Sequence, residues 1–156
     1  MIRSFTKKDY SGILDIWLKA SLQSHDFVPA EYWDKMQKSV ARDYLPNSQT
    51  FVFEDKRKIK GFISIVDEHH IGALFVAPEY QKCKIGSKLL KYIRRKRGCL
   101  SLNVFVKNKR AIQFYQRNNF KIVREQIDPS TKEKELIMAW SMGCKTGHYK
   151  RFIEDS

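Results

Sequence analysis

The densest concentration of chemically useful residues lies between Ala73 and Lys88, Ala-Leu-Phe-Val-Ala-Pro-Glu-Tyr-Gln-Lys-Cys-Lys-Ile-Gly-Ser-Lys. An apolar segment, a turn opened by Pro78 and a basic, Gly-containing stretch running into Leu89, Leu90 and Ile93 read as strand, turn and helix N-terminus. The first turn of a helix carries backbone N–H groups without intrahelical partners, and with the macrodipole they favour a phosphate at the helix start. Lys82, Lys84 and Lys88 add formal charge to that geometry. The chemistry this stretch could serve is the binding of a phosphorylated ligand.

Other constellations carry less. His69 and His70 with Cys83 and Cys99 lack zinc-site spacing, and neighbouring strand residues point to opposite faces, so no metal is expected. Neither a P-loop nor a dinucleotide-binding glycine pattern is present, which argues against nucleotide hydrolysis and hydride transfer. Cys83 falls in the phosphate turn, and neither Cys99 nor Cys144 has an evident base partner, so no covalent relay through a thiolate is expected.

Charge is unevenly placed. The chain of 156 residues has a net charge of +13, yet the interval between Glu79 and Glu125 contains no acidic residue. The basicity therefore belongs to one part of the fold and attracts a polyanion: a phosphorylated cofactor, an acidic protein surface or nucleic acid. A nucleic-acid module would use this interval with Tyr80, Tyr92, Phe105 and Tyr115 as stacking surfaces, but no nucleic-acid motif accompanies them. No apolar run approaches the ~20 residues of a membrane span, no signal-peptide pattern opens the chain, and the odd cysteine count fits a reducing, cytoplasmic setting.

The elements that position these residues follow from periodicity. Ile2 to Phe5 reads as a short strand, and Thr6 to Asp9 resembles a capping box for a helix with Tyr10, Ile13, Leu14, Trp17 and Leu18 on one face. After Gln23-Ser24-His25-Asp26, Pro29 at N1 opens a second helix carrying Tyr32, Trp33, Met36, Val40 and Tyr44. Strands are expected at 50–53, 59–66 and 71–77, a helix at 86–96, a strand at 100–106, a helix capped by Asn108, and strands at 120–123 and 135–140. The order β-α-α-β-β-β-α-β-α-β-β describes one mixed α/β domain over 1–143, followed by a patternless basic tail, 144–156.

On these elements the chain resembles the GNAT acyl-CoA-dependent N-acetyltransferases. Gln81-Lys82-Cys83-Lys84-Ile85-Gly86 matches the family's Gln or Arg, two residues, Gly, one residue, Gly or Ala at its first and last positions, with Lys84 replacing the first glycine. Asn108, Ala111, Phe114-Tyr115 and Asn119-Phe120 match the second signature, with Asn119 where Gly is usual. The His25-Asp26-Phe27 turn, Tyr44-Leu45-Pro46, Gly61-Phe62, Ala73 to Pro78 and Met138-Ala139-Trp140 are similar to a small bacterial subgroup, some of whose members acetylate protein lysines.

The resemblance implies a GNAT fold, a central, mostly antiparallel sheet of about seven strands with about four helices. It implies transfer of acetyl from acetyl-CoA directly to a primary amine, a small amine or a protein lysine, in a ternary complex; the sequence leaves monomer and homodimer open. The coenzyme would lie on Lys82, Cys83, Lys84, Ile85, Gly86, Ser87 and Lys88 behind Gln81, along the strand Leu74, Phe75 and Val76, and near Asn108 and Tyr115. Glycine suits such a turn because it permits φ > 0 and close approach of backbone to oxygen. A backbone N–H of Phe75 or Val76 would polarise the thioester carbonyl, and Tyr115 would give a proton to the departing thiolate. Phe114 and Tyr115 are adjacent, so one is expected to pack in the core while the other reaches the cleft. Many family members carry a carboxylate on the thioester strand, where this chain has Gly72 and Ala73; His25, with His70 next, is the substitute base. A fold that binds the coenzyme without catalysis is the remaining alternative.

Overall fold

Seven strands form one sheet in the order β1-β2-β3-β4-β5-β7-β6 in the computed structural model, which describes residues 1–40 and 45–142. The strands are β1 (Ile2–Ser4), β2 (Gln49–Asp55), β3 (Lys58–Val66), β4 (His70–Val76), β5 (Cys99–Phe105), β6 (Lys121–Ile127) and β7 (Lys134–Ser141). The helices are α1 (Tyr10–Ser24), α2 (Ala30–Ser39), α3 (Ile85–Arg94) and α4 (Lys109–Arg117). Their order along the chain is the one expected from the sequence. Tyr44, read as the last apolar residue of α2, and the tail from Cys144 lie outside the described residues.

The sheet is buried on both faces, which explains why its inner strands read as continuous apolar runs. On one side, Ile13, Ile16 and Trp17 of α1 and Trp33 of α2 pack with Val52, Phe62 and Ala73. On the other, Ile85, Leu89, Leu90 and Ile93 of α3 pack with Phe51, Ile63, Ile71, Leu100 and Met138. Leu89, Leu90 and Ile93 are fully buried, each worth about 1.5–3 kcal/mol of apolar burial.

Local chemistry sets the element ends. Asp9 accepts the Thr6 N–H at 2.8 Å, and Arg3 grips both oxygens of Asp9 at 2.8 and 2.9 Å, tying the start of α1 to β1. Pro29 stands one position earlier than expected, at the N-cap of α2, because its ψ of 141° is extended and the first helical residue is Ala30. Lys56 and Arg57 form the two-residue β2–β3 loop with φ of 52° and 63°, the left-handed pair that suits strand twist.

Every neighbouring pair of strands is antiparallel except β4 and β5. That parallel pair holds together only at His70↔Ser101 and Ile71↔Leu102. Beyond Ile71 the two strands diverge while β4 stays paired to β3 through Val76, opening a gap in the middle of the sheet.

Candidate active site

The gap between β4 and β5 is the floor of a cleft of about 850 Å³ that runs from the end of α1 to α4. Leu74, Phe75 and Val76 line it, with backbone that pairs on the β3 side and is left by β5 on the other. Gln81 closes the end of β4: its Nε2 donates to Val76 O at 3.3 Å and to Gln23 Oε1 of α1 at 3.0 Å.

The turn after Gln81 keeps a left-handed geometry without glycine. Lys82 has φ 75°, and Lys84, at the N-cap of α3, has φ 61° and ψ 20°. A non-Gly residue costs about 1–2 kcal/mol there, a strain that clusters where backbone must meet a ligand. The helix starts without a side-chain cap, and Lys82, Lys84, Ile85, Gly86 and Ser87 line the cleft. The N–H groups of an uncapped first turn at a cleft can hold an anion.

Gly86 owes its identity to packing, not to positive φ. A Cβ there would stand 3.1 Å from Phe114 Cζ, so the ring of α4 closes over the start of α3. Cys83 is exposed and lies off the cleft wall, as does Lys88, whose ammonium is 5.7 Å from the Phe53 ring centroid.

Phe114 and Tyr115 both line the cleft, rather than dividing between core and cleft. Tyr115 is only 9% exposed and packs edge-on to Phe114 and Phe120. Burial raises its phenol above the ordinary value, so it keeps its proton throughout the neutral range.

His25 stands on the opposite wall among Trp33, Phe105 and Phe27, with ring centroids at 5.1, 5.2 and 5.9 Å. Asn108 Nδ2 donates to its Nε2 at 3.3 Å, while Asn108 Oδ1 caps α4 by accepting the Ala111 N–H. The ring proton therefore sits on Nδ1, which is buried without a partner. Burial pushes the imidazole down to about 4. His70 is off the cleft wall, bonded through Nδ1 to Ser101 Oγ at 2.8 Å.

One residue at the cleft escaped the sequence reading. Glu135 of β7 is 8% exposed and lines the cleft, and its Oε1 accepts from Asn103 Nδ2 at 3.2 Å and Gln126 Nε2 at 2.6 Å. Its cross-strand neighbours are Phe105 on β5 and Gln126 on β6. Gln126 and Glu135 bracketing the β6–β7 turn was the available signal, but only the register brings Asn103 to them. The other cleft charges are mostly positive: Lys82, Lys84, Lys107, Lys109, Arg110 and Arg117.

Comparison with known proteins agrees with this geometry. The sequence profile of the Acetyltransferase (GNAT) domain matches residues 46–122. The peptidyl-lysine N-acetyltransferase YiaC of Escherichia coli K12 is 36% identical over 140 residues, 90% of this chain and 96% of its own length. The solution structure of apo YjaB from E. coli superposes with a TM-score of 0.78 at 25% identity, covering 90% of this chain and 96% of that one. The PaiA N-acetyltransferase of Thermoplasma acidophilum, solved with coenzyme A, shares the fold with a TM-score of 0.74 at 20% identity, covering 90% and 98%.

Proposed function

The chain belongs to the GNAT acetyltransferase family and is an acetyl-CoA-dependent N-acetyltransferase; from that premise we propose that it acetylates lysine side chains of proteins by direct transfer within a ternary complex. The observation that carries this reading is the opening of β4 from β5 beyond Ile71, which brings the left-handed Lys82–Lys84 turn and a buried phenol to one cleft.

The residues fit the cosubstrate. Backbone N–H groups from Lys82 to Ser87 hold the pyrophosphate, with Lys82 and Lys84 supplying charge, and the exposed edge of Leu74 to Val76 pairs with the pantetheine arm. Bound acetyl-CoA supplies an activated acetyl thioester. A backbone N–H of Phe75 or Val76 polarises its carbonyl, in a site where the surrounding protein strengthens that dipole. Tyr115 Oη donates its proton to the departing sulfur. His25 acts as a wall of the acceptor side, because its Nε2 lone pair is taken by Asn108 and its Nδ1 is a donor.

Two thiols among the described residues support direct transfer; Cys144 lies outside those residues. Cys83 is exposed away from the cleft wall and Cys99 touches His69, so neither stands where an acetyl relay would. The lysine acceptor rests on the similarity to YiaC. Exposed Lys91, Arg95 and Lys96 of the α3 end with Lys109, Arg110 and Arg117 of α4 exceed what one coenzyme neutralises, and they suit an acidic surface on the protein substrate. The cytoplasm is the proposed setting.

The test mixes protein and acetyl-CoA with lysine peptides, peptides bearing only an N-terminal amine, and small amines, and follows thiol release with coenzyme binding. Release dependent on a lysine peptide supports the reading. Binding without release across the panel would leave a coenzyme-binding fold without catalysis.

A further inference from the structure

Of the two carboxylates that line the cleft, Asp128 and Glu135, only Glu135 is buried, and the coenzyme leaves it unused. A carboxylate so buried is costly unless its charge is compensated. Two amides compensate part of it, and both converge on Oε1, leaving Oε2 as the free oxygen of a side chain that lines the cleft. Arg124 Nη2 donates to Gln126 Oε1 at 2.6 Å, so the Gln126 amide is held with its NH₂ toward Glu135. Among the described residues Glu135 enters no salt bridge, whereas its neighbour Glu133 is paired to Lys107 at 3.1 Å.

The alternatives on the same walls are occupied. His25 Nε2 already accepts from Asn108; Asp128 is only half-buried, with its Oδ2 accepting the Thr131 N–H and hydroxyl at 3.1 and 2.6 Å in its own turn, so its charge is met locally and by water. The cleft cations repel an approaching ammonium, so the carboxylate is what makes its arrival favourable.

Placement supports the same role. Glu135 is the cross-strand neighbour of Phe105, which belongs to the α1 and α2 side of the sheet, while Tyr115 belongs to the α3 and α4 side. Both line the cleft at the gap between β4 and β5, so a proton acceptor and a proton donor reach it from opposite faces of the sheet.

We propose that Glu135 is the acceptor-ammonium site: Oε2 binds a primary amine as its cation and takes one proton from it. In that step one N–H bond of the ammonium breaks with its electron pair left on nitrogen, an O–H bond forms at Oε2, and the proton then passes to water. The amine is left neutral and nucleophilic. Asn103 and Gln126 are positioning residues that hold the carboxylate.

This inference rests on the proposed amine acetylation, and its test separates the two. The full-length protein, labelled with ¹³C at glutamate carboxyl carbons and assigned through its backbone, is titrated with n-butylammonium chloride. A saturable shift of the Glu135 carboxyl carbon is expected, and Glu135→Gln, which keeps the volume and one acceptor oxygen, should bind the amine about tenfold more weakly. The same variant should lose about 100-fold in kcat/KM for a lysine peptide with unchanged acetyl-CoA affinity. An unmoved Glu135 signal, or equal amine affinity in variant and wild type, overturns the proposal. Amine binding at Glu135 in a wild-type protein that acetylates nothing would overturn the acetylation reading and keep the site.

Discussion

Asn108 Nδ2 donates to His25 Nε2 at 3.3 Å across 83 positions of sequence, while the same amide caps α4 through Oδ1. One side chain thereby joins the α1–α2 loop to the helix that carries Tyr115 and fixes His25 as the neutral tautomer with hydrogen on Nδ1. The histidine stands in an aromatic wall with its proton on a buried nitrogen that has no partner.

That neutrality has a pH signature. Burial lowers His25 to about 4 from 6.5, so between those values the unfolded chain binds a proton that the folded one refuses. The contribution is complete above pH 6.5 and falls by about 3 kcal/mol as pH drops to 4. His70, also lowered by burial, acts in the same direction. Urea unfolding across this range should show stability declining toward acid, and His25→Phe should flatten the decline.

Tyr115→Phe removes the phenolic proton proposed to pass to the departing thiolate. The expected result is a fall in kcat of about 100-fold, with acetyl-CoA affinity and melting temperature near wild type, read by thiol release and calorimetry.

Gly86 and Phe114 form a second coupled pair. Gly86→Ala places a methyl 3.1 Å from the ring, and overpacking of this kind costs about 1–3 kcal/mol. Phe114→Leu in the same chain should recover part of that loss, giving a non-zero coupling energy in a double-mutant cycle.

Lys84→Gly relieves a left-handed lysine and removes a charge from the turn. The melting temperature should not fall. Acetyl-CoA should bind several-fold more weakly, with a shallower salt dependence, because a phosphate contact has been lost.

The order of elements was legible from periodicity, as in the α1 face of Ile13 and Trp17, and from end signals such as the Asn108 cap of α4. Asn119, with φ 68°, took the left-handed position its side chain tolerates. The role of Gly86 was hidden, since a contact with Phe114, on a different helix, leaves no local trace. Glu135 was hidden for a related reason: its partners lie on β5 and β6, and strand register is a tertiary fact. Pro29 shifted by one position because proline is accepted at both sides of a helix start.

Direct transfer to lysine is tested most directly by a single-turnover experiment in which protein saturated with acetyl-CoA is mixed rapidly with a lysine peptide. Thiol and acetyl-lysine should form together, at one rate, with neither produced before the peptide is added. Thiol released into an acetylated protein ahead of the peptide, or thiol released with no acetyl-lysine formed, would contradict it.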